Sequence, residues 1–118
     1  MLKKILIVDD AQDIVDLLFI LLIKNNFEVE TAYSGKTLLD KLHKFIPDCI
    51  LLDVNLNGEN GRDICKQIKD AGNKAPIILM SANHELLANY EDCKACDVIE
   101  KPFLIDKVLS KINALFNQ

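Results

Sequence analysis

The run Cys49-Ile-Leu-Leu-Asp53, continuing into Val54-Asn-Leu-Asn-Gly-Glu-Asn-Gly61, constrains this chain more than any other stretch. Apolar residues lead up to one carboxylate, and an Asn/Gly-rich segment follows. A short apolar run bounded by turn residues reads as a strand buried on both faces, as in the middle of a parallel sheet. A strand ending in Asp sets that carboxylate at the sheet's carboxyl edge. In open α/β sheets, ligands bind along that edge.

The rest of the chain repeats the theme. Lys3-Lys-Ile-Leu-Ile-Val-Asp-Asp10 is a branched strand ending in paired acids. Gln12 to Asn25 turns helical, with Ile14, Leu17, Leu18 and Leu21 predicted to face the core. Phe19, Ile20 and Ile23 fall nearly opposite, and read equally as scattered surface or as a partner surface. Asn25 to Ala32 alternates, which marks an edge or near-edge strand. Ser34 is a candidate N-cap for a helix with Leu38, Leu39, Leu42 and Phe45 on one face, stopped by Pro47. A third helix, about Gly61 to Ala71, turns Ile64, Cys65 and Ile68 inward and ends at Gly72. Pro76 to Ser81 is again continuously apolar. Glu85 to Tyr90 reads as a short helix inside a weakly patterned stretch. Asp97 to Glu100 is a short strand. Leu104 to Phe116 is the last helix, with Leu104, Val108, Ile112 and Leu115 inward.

Five strand patterns alternating with five helical ones predict an α/β fold. It is a flavodoxin-like, doubly wound (βα)5 unit with a five-stranded parallel sheet in the order 2-1-3-4-5. Residues 1–118 form one domain. The switch point of that order falls between the first and third strands, at Asp9, Asp10 and Asp53.

Composition excludes several functions. A net charge of -4 gives no electrostatic case for nucleic acid or an anionic membrane as partner. The longest apolar run, Leu17 to Ile23, is far short of the ~20 residues that span a bilayer. No signal peptide pattern precedes the first strand, so the expected location is the cytoplasm. Cys49 and Cys65 read as small buried hydrophobes. Cys93 and Cys96 form a C-x-x-C that supplies only half of a structural zinc site, and His43 and His84 stand at no ligand-like spacing. All four read as free thiols.

Asp9, Asp10, Asp53, Ser81 and Lys101 all fall at carboxyl ends of strands. Close carboxylates repel, and a divalent cation relieves them. Hard oxygen ligands suit Mg2+, which binds carboxylates together with a phosphate. A lysine and a hydroxyl at the same edge fit a phosphoryl group, and Asp is a known nucleophile toward phosphorus. Each residue also has a plain alternative: helix caps for Asp9 and Asp10, a solvated loop acid for Asp53, a small strand-end residue for Ser81, a surface lysine for Lys101.

The sequence closely resembles the receiver domain of two-component response regulators. The resemblance rests on Ile5-Leu-Ile-Val-Asp-Asp10, Pro47 to Leu56 with Gly58 and Gly61, Pro76-Ile-Ile-Leu-Met-Ser-Ala82, and Lys101-Pro-Phe103. It covers nearly the whole chain in order. It implies that Asp53 is the phosphoacceptor. It also implies that Asp10, Asp9, Asp53 and the backbone carbonyl of Asn55 bind Mg2+. Ser81 would follow the phosphoryl group, and Lys101, joined to Pro102 by a cis bond, would pair with it. The implied function is a phosphorylation-dependent switch, charged by a sensor histidine kinase or a histidine phosphotransfer protein. Such a domain is not an enzyme beyond catalysing its own aspartyl phosphorylation and dephosphorylation. It signals through a downstream protein partner or a missing effector domain, since no output domain follows Lys101 beyond one helix. The expected state is a monomer or a phosphorylation-dependent dimer.

Three departures stand out. Val98 replaces the usual switch aromatic. Asn57 replaces the usual proline after the phosphoacceptor, and is expected to loosen that turn. Asn83 to Cys96 is slightly short, so its helix is expected to be abbreviated or irregular. Two rivals remain. A phosphate-independent docking module is supported by Val98, Asn57 and the Phe19/Ile20/Ile23 face. An aspartate-nucleophile phosphatase would need an Asp where Asn55 stands.

Overall fold

The computed structural model describes residues 2–117. Five strands form one parallel sheet: β1 (Lys4–Val8), β2 (Glu28–Ala32), β3 (Cys49–Asp53), β4 (Ile77–Ser81) and β5 (Asp97–Glu100). Their order is β2-β1-β3-β4-β5, the predicted one, with parallel pairing throughout. Four helices flank it: α1 (Gln12–Lys24), α2 (Gly35–Leu42), α3 (Gly61–Asp70) and α4 (Ile105–Phe116).

Successive strand residues point to opposite faces, and this period of two builds two cores. Leu6, Val8, Ile50, Leu52, Ile77 and Leu79 pack toward α2 and α3. Ile5, Ile7, Cys49, Leu51, Ile78 and Met80 pack toward α1 and α4. Both faces of β1, β3 and β4 are therefore covered, which is why those strands read as unbroken apolar runs. Each fully buried Leu or Ile contributes about 1.5–3 kcal/mol of apolar transfer free energy. The edge strands differ. β2 grades from exposed Glu28 to buried Ala32, and β5 buries only Ile99.

The helices correct several expectations. α1 buries Val15, Leu18 and Leu22, while Leu17 is exposed and Ile14 and Leu21 are half-buried. Phe19, Ile20 and Ile23 are exposed as expected. α2 is capped by the Ser34 side chain, which accepts the Thr37 N–H. It ends at Leu42, well before Pro47, because its last turn tightens: the His43 and Lys44 N–H groups donate to carbonyls three residues back. Phe45 still reaches the core. α3 ends as expected, with Gly72 in the left-handed conformation at φ +97°. Leu104 is the N-cap of α4 and is exposed, because the helix starts one residue later and turns Val108 and Ile112 to the sheet.

No regular helix joins β4 to β5. Two short 3-10 turns, His84–Leu87 and Tyr90–Cys93, take its place. Extended backbone at Ala88 and left-handed backbone at Asn89 (φ +52°) separate them. The short segment therefore becomes an irregular strap over the α3 side of the sheet.

Asn57 sits in a two-residue turn of its own type. Asn55–Leu56 pairs antiparallel with Glu59–Asn60, and Asn57 and Gly58 close the ladder at φ +45° and +94°. Positive φ at both central residues is the type I′ hairpin pattern that Asn-Gly favours, and proline cannot adopt it. The hairpin delivers the chain to α3 at Gly61, whose N–H donates to the Val54 carbonyl at 2.6 Å. A Cβ on Gly61 would lie 2.1 Å from the Asp53 carbonyl oxygen. Gly61→Ala is therefore expected to cost about 3 kcal/mol in urea denaturation. A loss under about 0.5 kcal/mol, the usual range of a neutral surface change, would show that the backbone yields.

Candidate functional site

Strand register assembles the carboxyl edge. Val8 pairs with Leu52, so Asp9 follows β1 at the level of Asp53. Asp53 pairs with Met80, one residue before Ser81, and Ser81 pairs with Glu100, one residue before Lys101. The four side chains thus arrive together from the ends of β1, β3, β4 and β5.

Asp9 is wholly buried, and Asp53 and Ser81 are nearly so. The Lys101 ammonium donates to Asp9 Oδ2 at 2.6 Å and to Asp53 Oδ2 at 2.9 Å. Each carboxylate's other oxygen accepts a backbone N–H: Asp9 Oδ1 from Ala11 at 3.0 Å, Asp53 Oδ1 from Asn55 at 3.1 Å. Ser81 Oγ accepts the Asn83 N–H at 3.1 Å. Asp10 is exposed, yet one carboxylate oxygen each from Asp9, Asp10 and Asp53 lies within 4.8 Å of the others. The Lys101–Pro102 bond is cis.

Burial is the leading influence on Asp53 and raises its carboxyl above the ordinary range. Lys101 and the Asn55 N–H only partly offset this, and the Asp9 charge adds to it. Burial alone would lower the Lys101 ammonium, but its bonds to Asp9 and Asp53 outweigh that and raise it. Burial thus penalises the charged form of Asp53, and the Lys101 ammonium counters part of that penalty.

Of the residues expected here, Asp9, Asp10, Asp53 and Lys101 cluster directly. Ser81 lies on the neighbouring strand, with its hydroxyl turned to the strap. Asn55 contributes its N–H to Asp53 while its side chain is exposed. Sequence reasoning missed Asn83, whose N–H holds the Ser81 hydroxyl. It also gave no role to Gly61, although a glycine shortly after a strand-ending Asp is itself a signal for close backbone approach. Cys93 and Cys96 join no three-ligand cluster among the described residues. Among the described residues the acid trio is the only three-ligand cluster, and all four cysteines are free thiols. Cys65 is pushed up to about 12, by burial first and then by Cys93. A cavity of about 350 Å³ lined by Val98, Glu100, Pro102, Phe103 and Lys107 lies between β5 and α4 and includes none of Asp9, Asp10 and Asp53. No helix among the described residues is long and apolar enough to cross a membrane.

A doubly wound parallel sheet with buried acids and an ion-paired lysine at its switch point defines an acid-pocket α/β domain. Comparison with known proteins narrows the class. The response regulator receiver domain model matches residues 5–113. Response regulator ArlR of Staphylococcus aureus is 34% identical over 119 residues, covering 99% of this chain and 54% of that protein. The chain thus spans about half the length of the curated relatives it matches. The receiver domain of NtrX from Brucella abortus superposes with a TM-score of 0.86 at 31% identity, over 97% of this chain and 99% of that one. Chemotaxis protein CheY4 of Vibrio cholerae gives 0.89 at 26% identity, over 98% and 99%. The chain belongs to the response regulator receiver domain family of two-component signalling.

The raised Asp53 carboxyl has a measurable sign. A carboxyl raised in the folded state favours folding when protonated, and that advantage is lost as pH rises from the unfolded value of 3.8 through the folded one. Asp53→Asn removes the penalised charge. It is expected to stabilise the domain by about 1 kcal/mol at pH 7, the range typical of a single stabilising change. The gain should shrink toward zero below pH 4, followed by thermal unfolding across pH. A variant less stable than wild type at pH 7 would mean that the ion pair outweighs the burial cost.

Proposed function

We propose that this receiver domain is a phosphorylation-dependent switch with Asp53 as phosphoacceptor. The observation that carries the reading is a nearly buried carboxylate whose two oxygens are engaged by a lysine and a backbone N–H beside a second buried acid. An Asp53 oxygen attacks the phosphorus of a phosphohistidine, the P–N bond breaks, and the histidine nitrogen leaves with the electron pair. Lys101 already contacts the attacking side chain, so it follows the phosphoryl oxygens as a point charge. The Ser81 hydroxyl carries a proton for a phosphoryl oxygen, and reaching it means turning away from the Asn83 N–H that it accepts at rest.

The three carboxylates fit Mg2+: all are hard oxygen donors, and they stand close enough to share one cation. Asp9, Asp10, Asp53 and the Asn55 backbone carbonyl would hold it. When bound, it supplies charge neutralisation to the transferring phosphoryl group. The donor in this reading is a sensor histidine kinase or a histidine phosphotransfer protein in the cytoplasm. The domain catalyses only its own phosphorylation and dephosphorylation. The receiver of the signal is a protein partner or an effector domain in a longer chain.

Intact-mass measurement after incubation with acetyl phosphate and Mg2+ tests the reading. A single phosphoryl adduct, absent with EDTA and absent in Asp53→Ala, is expected. A folded protein that takes no phosphoryl group from acetyl phosphate or from any histidine kinase would sink the proposal in favour of a phosphate-independent docking module. Separately, millimolar Mg2+ should raise the thermal midpoint of wild type and leave Asp10→Ala unmoved. An equal rise in both would remove Asp10 from the metal site.

A further inference from the structure

Arg62, on the first turn of α3, does not sit on a solvated helix face. Its guanidinium donates to three backbone carbonyls of the strap: Nη1 to Leu86 at 2.9 Å and to Ala88 at 2.6 Å, and Nη2 to Asn89 at 2.8 Å. The Leu86 and Ala88 carbonyls lie at the break between the two 3-10 turns, and the Asn89 carbonyl also accepts the Asp92 N–H of the second turn. Further along α3, Cys65 Sγ donates to the Cys93 carbonyl at 3.2 Å, and Asp70 pairs with Lys94. The strap is thus tied along the length of α3, with Arg62 making the most bonds.

Both ends of this tie lead back to the acid cluster. The strap begins at Asn83, whose N–H holds Ser81 Oγ and whose side chain caps the first 3-10 turn through the Glu85 N–H. α3 begins at Gly61, packed on the Asp53 carbonyl. From Asp53 through Gly61, Arg62, Leu86 and Asn83 to Ser81, the contacts form a continuous path. Val98 is half-buried against the core beside the strap, with no aromatic ring to relay motion.

We infer that Arg62 is a latch that holds residues 83–94 in the resting position, and that phosphorylation acts against it. The inference rests on the reading of Asp53 as phosphoacceptor. When the Ser81 hydroxyl turns to a phosphoryl group, the Asn83 N–H loses its acceptor and the first 3-10 turn loses its anchor. The guanidinium bonds then decide how much of the strap lets go. The strap is the two-state element, and Arg62 sets its resting population. Arg62 is a positioning residue and does not touch the phosphoryl group.

Amide hydrogen exchange on the full chain, read by mass spectrometry, tests this with Arg62→Ala and Arg62→Gln, each with and without acetyl phosphate and Mg2+. Arg62→Gln keeps helix propensity and a shorter stem, so it guards against a variant that fails to fold. In wild type, phosphorylation should speed exchange in residues 83–94. In either variant, unphosphorylated exchange there should already be about tenfold faster, while the amides of β1, β3 and β4 keep their protection. Labelling of Asp53 should persist, with little further response in the strap. Arg62→Lys, a point donor without the fork, should fall between. Wild-type exchange in the strap of both Ala and Gln variants overturns the latch, as does a full phosphorylation response in them. Adduct mass in the same samples separates the two ideas. If no protein takes the phosphoryl group, the Asp53 reading fails, and the latch stands or falls on the unphosphorylated comparison alone.

Discussion

The Lys101 ammonium, held between Asp9 and Asp53, is the interaction on which the carboxyl edge depends. Two acids at so little exposure cannot share a sheet end without a cation, because burial and mutual repulsion both penalise their charged forms. Lys101 reaches them from β5, at the far side of the sheet. The pairing therefore needs β1, β3, β4 and β5 in register, and it joins residues 92 and 48 positions apart in sequence. It also leaves the exposed Asp10 as the acid without that partner, open toward solvent. One ammonium thus serves two buried carboxylates, with Asp10 as a third acid beside them.

Much of this was legible in the sequence, for reasons that vary by element. β1, β3 and β4 are buried on both faces, so their apolar runs and terminal acids could be read directly, and with them the sheet order. α1 was read one step out of register. Ile14, Val15 and every residue from Leu17 to Ile23 are apolar, so the helix is greasy almost all round and its composition does not mark which stripe meets the sheet. Only packing selects Val15, Leu18 and Leu22. Leu104 failed for a related reason: an apolar residue at a helix start was taken for the first core position when it is the cap.

The strap and the hairpin were the least legible parts, although the shortness of Asn83 to Cys96 did mark an abbreviated or irregular helix. Asn57-Gly58 carries a sequence signal for a tight turn, and both residues take the positive φ that such a turn needs. The strap has no such signal. Its conformation depends on Arg62, whose partners are carbonyls more than twenty positions away and identical in chemistry to any others. Backbone acceptors leave no trace in a sequence. An arginine that binds them reads as an ordinary charged helix residue.

The two edges of the sheet carry a further consequence. β2 presents Glu28 and Glu30, and β5 presents Asp97 and Glu100, with Lys41 and Lys111 engaging Glu30 and Asp97 from neighbouring helices. An open edge invites another strand to continue the hydrogen-bond ladder. A second copy approaching in that way would bring the same acids into line with these. Charged side chains along both borders, two of them held by lysines, make these edges poor templates for lateral growth of the sheet.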